Sequence, residues 1–164
     1  MKGDLMSNIH LLTNEHKFSY YEEDWYPPLT AALEGLSAKE ATWKPAGESV
    51  NSIWETINHM LYFEERLLYQ LEGRMNQFNK VSENDLTFKE GNSDDDQAWE
   101  QIVKKINEIH AGLKQAITSL QEDDFESFAE AIMGVIRHDA YHTGQIIQIR
   151  KLQGSWAAKR RFEF

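Results

Sequence analysis

His138 and His142 stand four residues apart in a stretch that reads as helix. That interval puts two imidazoles on one face, one turn apart, where both can reach a single ion. A third histidine, His59, falls near the middle of another helical stretch. At about 100° per residue, each of the three lies beside its helix's apolar stripe rather than at its centre. Two such flanks can meet in a groove between helices that is open to water on one side. A catalytic metal needs that setting: fixed protein ligands and a vacant position. The spacing alone leaves another reading open, in which these are exposed histidines that bind nothing. His10, His16 and His110 are unpaired in sequence and read as surface or packing residues.

Other chemistries can be tested against the same residues. A zincin places Glu directly after the first His as general base, and here Asp139 occupies that position. A di-iron bundle carries Glu-x-x-His on two helices. Three residues after Glu55 comes Asn58, and three after Glu130 comes Met133, so that pattern is missing. With no cysteine in the chain, disulfides, cysteine-ligated zinc, iron–sulfur clusters and a Cys nucleophile are excluded. A serine nucleophile elbow and a phosphate-cradling glycine loop are also missing.

The elements that must position the histidines read at the helical period, with no alternating runs. Residues 13–35 form a first, aromatic-rich helical segment, which Pro27 and Pro28 must kink or divide. Ser37 and Glu40 have capping-box spacing and open a short helix, closed by Trp43-Lys44-Pro45. Ser52 and Glu55 repeat that spacing at the start of a second long helix, which runs to about residue 72 and ends at Gly73. Residues 74–96 form a long polar connection. Its Asp94-Asp95-Asp96 run has no calcium-loop spacing around it and suits the N-terminus of the following helix. The third helix spans about 97–120 and the fourth about 128–153, with residues 122–127 as a loop and Gly154 as a cap. The expected fold is therefore all-α: one domain over residues 1–164, a four-helix bundle with a long crossover between the second and third long helices.

Composition narrows the partners. Lys plus Arg number 17 and Asp plus Glu 27 in 164 residues, a net charge of −10. Such a chain repels phosphate backbones and anionic lipid surfaces, which argues against nucleic acid and membrane as partners. The absence of disulfide chemistry and of an apolar leader or membrane-length run leads to the expectation of a soluble cytoplasmic protein. The basic residues Lys159, Arg160 and Arg161 are too few to outweigh the acidic body and read as a solvated or subunit-contacting tail.

The run from His138 to Ile146, His-Asp-Ala-Tyr-His-Thr-Gly-Gln-Ile, resembles the His-x-x-x-His-x-Gly-Gln signature of the DinB/YfiT-like superfamily. The run from Ser52 to Met60 resembles the same family's second-helix motif, whose histidine is the first metal ligand. The resemblance extends over roughly residues 16–152. It implies a four-helix bundle holding a divalent ion, nickel or zinc, on three histidines, which carry over to His59, His138 and His142. It also implies a homodimer and a small-molecule substrate. Characterised relatives include bacillithiol S-transferases and mycothiol-dependent maleylpyruvate isomerases.

The expected function is accordingly a metal-dependent enzyme, foremost a thiol S-transferase of the bacillithiol kind. Because the chain has no cysteine, its thiol must come from a low-molecular-weight cosubstrate. A metal-dependent hydrolase needs the same three ligands. A non-enzymatic metal-binding or structural bundle, or a metal sensor, stays open as well. No residue is singled out as catalytic. Glu55, Asp139 and Gln145 are candidates to orient a ligand, and Glu55 also to act as a base; two have structural alternatives, a helix cap for Glu55 and solvent or another helix for Asp139. Gly144 is a candidate for close helix approach or ligand access, and Tyr20, Trp25 and Tyr62 for lining a pocket or for the core.

Overall fold

A computed structural model describes residues 7–47 and 49–157. The tail residues Lys159, Arg160 and Arg161 lie outside the described residues. Six α-helices follow in order: α1 (Asn8–Tyr20), α2 (Leu29–Leu33), α3 (Ala38–Thr42), α4 (Ile53–Leu71), α5 (Asp96–Thr118) and α6 (Phe125–Gln153). Among the described residues there is no strand. The all-α expectation holds.

The four long helices are α1, α4, α5 and α6. Helix α1 packs on α5 and α6, and α4 packs on the same two. This sets α1 across the bundle from α4, and α5 across from α6. The short α2 lies on α6, and α3 lies against α4 and α5.

The first segment is built differently from the expectation. Helix α1 starts earlier, at Asn8, where the Ser7 hydroxyl accepts from the His10 backbone N–H at 3.1 Å. It stops at Tyr20, well before the prolines. The residues that would have continued it are Glu22, Glu23 and Asp24, three carboxylates at the negative end of a helix dipole. Pro27 and Pro28 then hold the chain extended, and α2 begins immediately after Pro28.

Capping chemistry sets the other boundaries as expected. Ser37 with Glu40 and Ser52 with Glu55 form complete capping boxes. The Glu55 carboxylate also takes Lys44 Nζ at 2.7 Å, tying the connector to the start of α4. Asp95 caps α5 by accepting from Ala98 N–H at 2.9 Å. Its neighbour Asp96 accepts from Ala38 N–H at 2.7 Å and so holds the start of α3 against α5. At the far end of α6, Gly154 adopts a left-handed conformation (φ 82°), and the Ser155 N–H closes back on Arg150 C=O at 2.9 Å.

The crossover between α4 and α5 is polar but not loose. It contains two 3-10 turns, Met75–Gln77 and Asn84–Thr87. Asn58 Nδ2 of α4 donates to Lys89 C=O at 2.8 Å, and Val81 N–H donates to the Tyr62 hydroxyl at 3.2 Å. Gly91 lies so close to the Trp54 ring that a Cβ there would overlap it. The crossover is thereby laid along α4, beside His59.

Two apolar clusters fill the bundle. One gathers Tyr20, Leu29, Ile53, Ile57, Met60, Trp99, Ile106 and Ile146. The other gathers Leu12, Leu67, Leu68, Leu113, Ile117, Ile132 and Ile136.

Candidate metal centre

His59 lies on α4, and His138 and His142 on α6, one turn apart. The packing of α4 on α6 brings the three rings together. His59 Nε2 is 2.9 Å from His138 Nε2, and His142 Nε2 is 3.1 Å from His138 Nε2. Ligands on one ion at zinc-type bond lengths have nitrogens about 3.0–3.4 Å apart. The three Nε2 atoms therefore already stand at nearly ligating separation.

The outer nitrogens explain the ring orientations. The Thr87 hydroxyl donates to Asn84 C=O at 2.6 Å, so its proton is committed. Thr87 Oγ1 can then only accept from His59 Nδ1–H, at 2.6 Å. His142 Nδ1–H donates to Gln145 Oε1 at 2.7 Å, while Gln145 Nε2 donates to the Tyr141 hydroxyl at 3.0 Å. With Nδ1 protonated on both rings, the Nε2 lone pairs of His59 and His142 point inward. An acceptor on the outer nitrogen is the usual device for fixing a ligating tautomer. His138 has one Nε2 proton at most to offer two inward-facing lone pairs, so at least one contact is repulsive unless a cation lies between the rings. Phe88 stacks on His59 with centroids 4.0 Å apart and planes at 8°, which fixes that ring from the side.

All three imidazoles are held neutral. Burial pushes His59 down to about 4, helped by the neighbouring His138 and His142. Burial also pushes His138 down to about 4, with His142 adding to it. His142 is lowered by burial against a smaller opposing effect of Gln145. Neutral nitrogen is the form that ligates.

Access is one-sided. His59 and His142 are buried, whereas the His138 side chain is 26% exposed. On that side a groove of about 290 Å³ runs between α4 and α6, lined by Phe63, Arg66, Gln70, Gly134 and His138 among others. A larger cavity, about 1020 Å³, lies elsewhere, against α1, α2 and α5, and no triad histidine lines it. Proximity to the rings matters more for chemistry than volume, so the smaller groove is the relevant one.

Residues 21–146 match the sequence profile of the DinB superfamily. The chain belongs to the DinB superfamily. The matched segment spans well over half of the chain and contains all three histidines. No curated protein and no solved structure gave a match. Membership in the DinB superfamily and the buried His59–His138–His142 triad are together compatible with a metal site.

The remaining candidates fall out unevenly. Gln145 orients His142 by accepting from its Nδ1–H. Glu55 is a cap and an ion-pair partner of Lys44, with both carboxylate oxygens engaged away from the triad. Asp139 faces other helices: it is buried in the bundle, 4.0 Å from His138 Nδ1 but without a hydrogen bond to it. Gly144 does not mediate close helix approach, since a Cβ there meets nothing within 4 Å. None of the three aromatics packs on the triad: Tyr20 stacks on His110, Tyr62 packs on Phe63 and Phe78 and braces the crossover, and Trp25 is 90% exposed. Thr87 and Phe88 were not expected at the site. Their only signal in the sequence is Leu-Thr-Phe (residues 86–88), an apolar island in a polar connection.

Proposed function

We propose that this DinB-superfamily chain is a divalent-metal enzyme in which His59, His138 and His142 hold the ion, nickel or zinc. The observation that carries the reading is the convergence of three Nε2 atoms, two of them with lone pairs fixed inward by acceptors on Nδ1. Three neutral ligands leave the ion its full charge, and when bound it would lower the pKa of a thiol or water in its remaining positions.

The favoured reaction is S-transfer from a low-molecular-weight thiol to an electrophile. The chain supplies no thiol of its own. Arg66, at the groove beside His138, offers a guanidinium to an anionic cosubstrate such as a carboxylate-bearing thiol. Phe63 packs edge-on to both His59 and His138 and supplies an apolar wall between groove and rings. A cytoplasmic setting and a homodimer belong to the same proposal. Among the described residues, no helix is long and apolar enough to cross a membrane.

The test uses untagged protein loaded with nickel or zinc. It is offered an anionic low-molecular-weight thiol with a chlorinated electrophile, and separately an ester without thiol. Metal-dependent conjugation that His142→Ala abolishes supports the transferase. Ester hydrolysis with the same dependence moves the assignment to a hydrolase. Stoichiometric metal with no turnover of either probe moves it to a structural or sensing bundle. Protein that takes up no metal on the triad overturns the reading.

A further inference from the structure

Between the two apolar clusters, each long helix places one polar side chain at the bundle axis. These are His16 from α1, Glu64 from α4, His110 from α5 and Asp139 from α6. The register shows the layering. Leu12 and Tyr20 flank His16 on α1, in different clusters, and Met60 and Leu67 flank Glu64 in the same way. All four polar residues are at most 1% exposed.

The layer is not satisfied by the protein. Neither oxygen of Glu64, neither oxygen of Asp139 and not the Nε2 of His110 has a hydrogen-bond partner. His110 Nε2 lies 3.2 Å from Glu64 Oε1 but off the direction a hydrogen bond needs. Among the described residues, no Lys or Arg is ion-paired with either carboxylate. Burying two carboxylates without a positive partner is costly enough that proteins avoid it or neutralise the groups. Burial pushes both carboxyls upward; Glu64 raises Asp139 further, whereas a hydrogen bond from protonated Asp139 opposes the rise at Glu64. A shared proton would satisfy one oxygen of each carboxyl and leave His110 Nε2 orphaned. A divalent cation would engage one oxygen of each carboxylate and the imidazole nitrogen together, and would cancel both charges.

We propose that the centre of the bundle is a second divalent-cation site, with Glu64, His110 and Asp139 as its ligands and His16 holding His110 in the ligating tautomer. Ligand atoms of the three residues lie within 4.8 Å of one another, and His110 Nε2 stands 3.2 Å from Glu64 Oε1. Ligand atoms around one ion with bonds near 2.1 Å are about 3–4 Å apart, so small side-chain rotations complete the set. His16 Nε2 and His110 Nδ1 are 3.1 Å apart. When His110 Nδ1–H donates to His16, the His110 Nε2 lone pair faces the two carboxylates, the arrangement that fixes metal-bound histidines elsewhere. One imidazole and two carboxylates suit manganese, iron or zinc better than the all-oxygen ions or a soft copper(I). The site is distinct from the triad, although Asp139 follows His138 directly.

Counting bound zinc, which suits both sets of ligands, in the full chain tests this, with the metal also supplied during expression because a site without solvent exposure loads slowly. The wild type should carry two equivalents per chain, and Glu64→Gln and His59→Ala one each. The double variant should carry none. Two equivalents in Glu64→Gln, or no more than one in the wild type, with that one lost in His59→Ala, overturns the second site. One equivalent in the wild type that Glu64→Gln removes and His59→Ala spares would instead overturn the triad reading and leave this one standing. Crystals of the wild type grown with zinc decide the matter without any variant. An anomalous peak enclosed by Glu64, His110 and Asp139 supports the site, and a peak at the triad alone refutes it.

Discussion

The triad at the α4–α6 groove and the layer at the bundle axis each bring three ligand-type residues within reach of one ion, and they are built in opposite ways. In the triad two of the three outer nitrogens have acceptors, Thr87 for His59 and Gln145 for His142, while His138 Nδ1 has none. One of its rings meets solvent. At the axis all ligand-type atoms are enclosed, and most have no partner at all. The first is an oriented site with an entrance. The second is an electrostatic problem sealed inside the fold, and its packing is part of what holds the helices together. Removing a residue from one should therefore cost chemistry, and from the other, stability.

His110→Ala against His142→Ala is the most direct way to break that contrast. His110 is fully buried, stacked on Tyr20 with centroids 3.5 Å apart and hydrogen-bonded to His16. Its removal leaves a cavity between polar groups and should cost about 3–5 kcal/mol, read from urea unfolding of metal-free protein. His142→Ala should lower metal affinity by about 100-fold or more, measured by competition with a chelator, while metal-free stability changes by about 1 kcal/mol or less. Equal stability losses in the two variants would mean that the triad is as structural as the axis.

The pH dependence of stability sharpens the comparison on the axial side. Burial, with the charges of His110 and Lys114, pushes His16 down to about 3. Its folded value lies below that of the unfolded chain, about 6.5. The sign follows: above that unfolded value both states are neutral and His16 is indifferent to pH. As pH falls below it the unfolded chain takes up a proton that the folded chain refuses, and stability drains away toward pH 3. His16→Asn lacks this loss. Its stability deficit relative to wild type should shrink by up to about 2 kcal/mol between pH 7 and 5, since each pH unit is worth at most about 1.4 kcal/mol per group. Taking the difference between the two proteins removes the opposing contribution of Glu64 and Asp139. A deficit that stays constant with pH would show that His16 titrates normally and the axis is wetter than its burial suggests.

On the triad side, Thr87→Val keeps the shape of the side chain and deletes the acceptor for His59 Nδ1–H. Metal affinity should fall about 10–100-fold, equivalent to roughly 1.4–2.7 kcal/mol, with the helical content unchanged by circular dichroism. An unaffected affinity would mean that ring packing by Phe88 and Phe63 is enough to orient His59.

These residues also mark how far the sequence could be read. The three triad histidines and Gln145 were legible because helical spacing is a local rule, and the resemblance in two motifs tied α4 to α6. The caps at Ser37, Ser52 and Gly154 were legible for the same reason. The axial layer was not. Glu64 and His110 each look like ordinary polar positions on an amphipathic helix until four helices are packed in register, and nothing local marks a polar residue as axial. Thr87 was hidden by a different cause, since a crossover of low periodicity gives no face to assign. The early end of α1 reflects competition: aromatic periodicity argued for continuation, while three carboxylates before two prolines argued against it, and the carboxylates prevailed.

Gly144 offers the smallest effect and the cleanest control. It lies on the exposed side of α6 between Thr143 and Gln145, and an added Cβ would meet no atom within 4 Å. Glycine inside a helix costs roughly 0.5–1 kcal/mol relative to alanine because the unfolded chain loses more freedom. Gly144→Ala should therefore stabilise the protein by about that amount in urea unfolding, with metal affinity at the triad unchanged. It separates backbone effects from site effects within one turn of His142. If affinity falls although stability rises, the helix must flex at this position for His142 and Gln145 to reach the ion. The triad would then be a site assembled on binding rather than one already oriented.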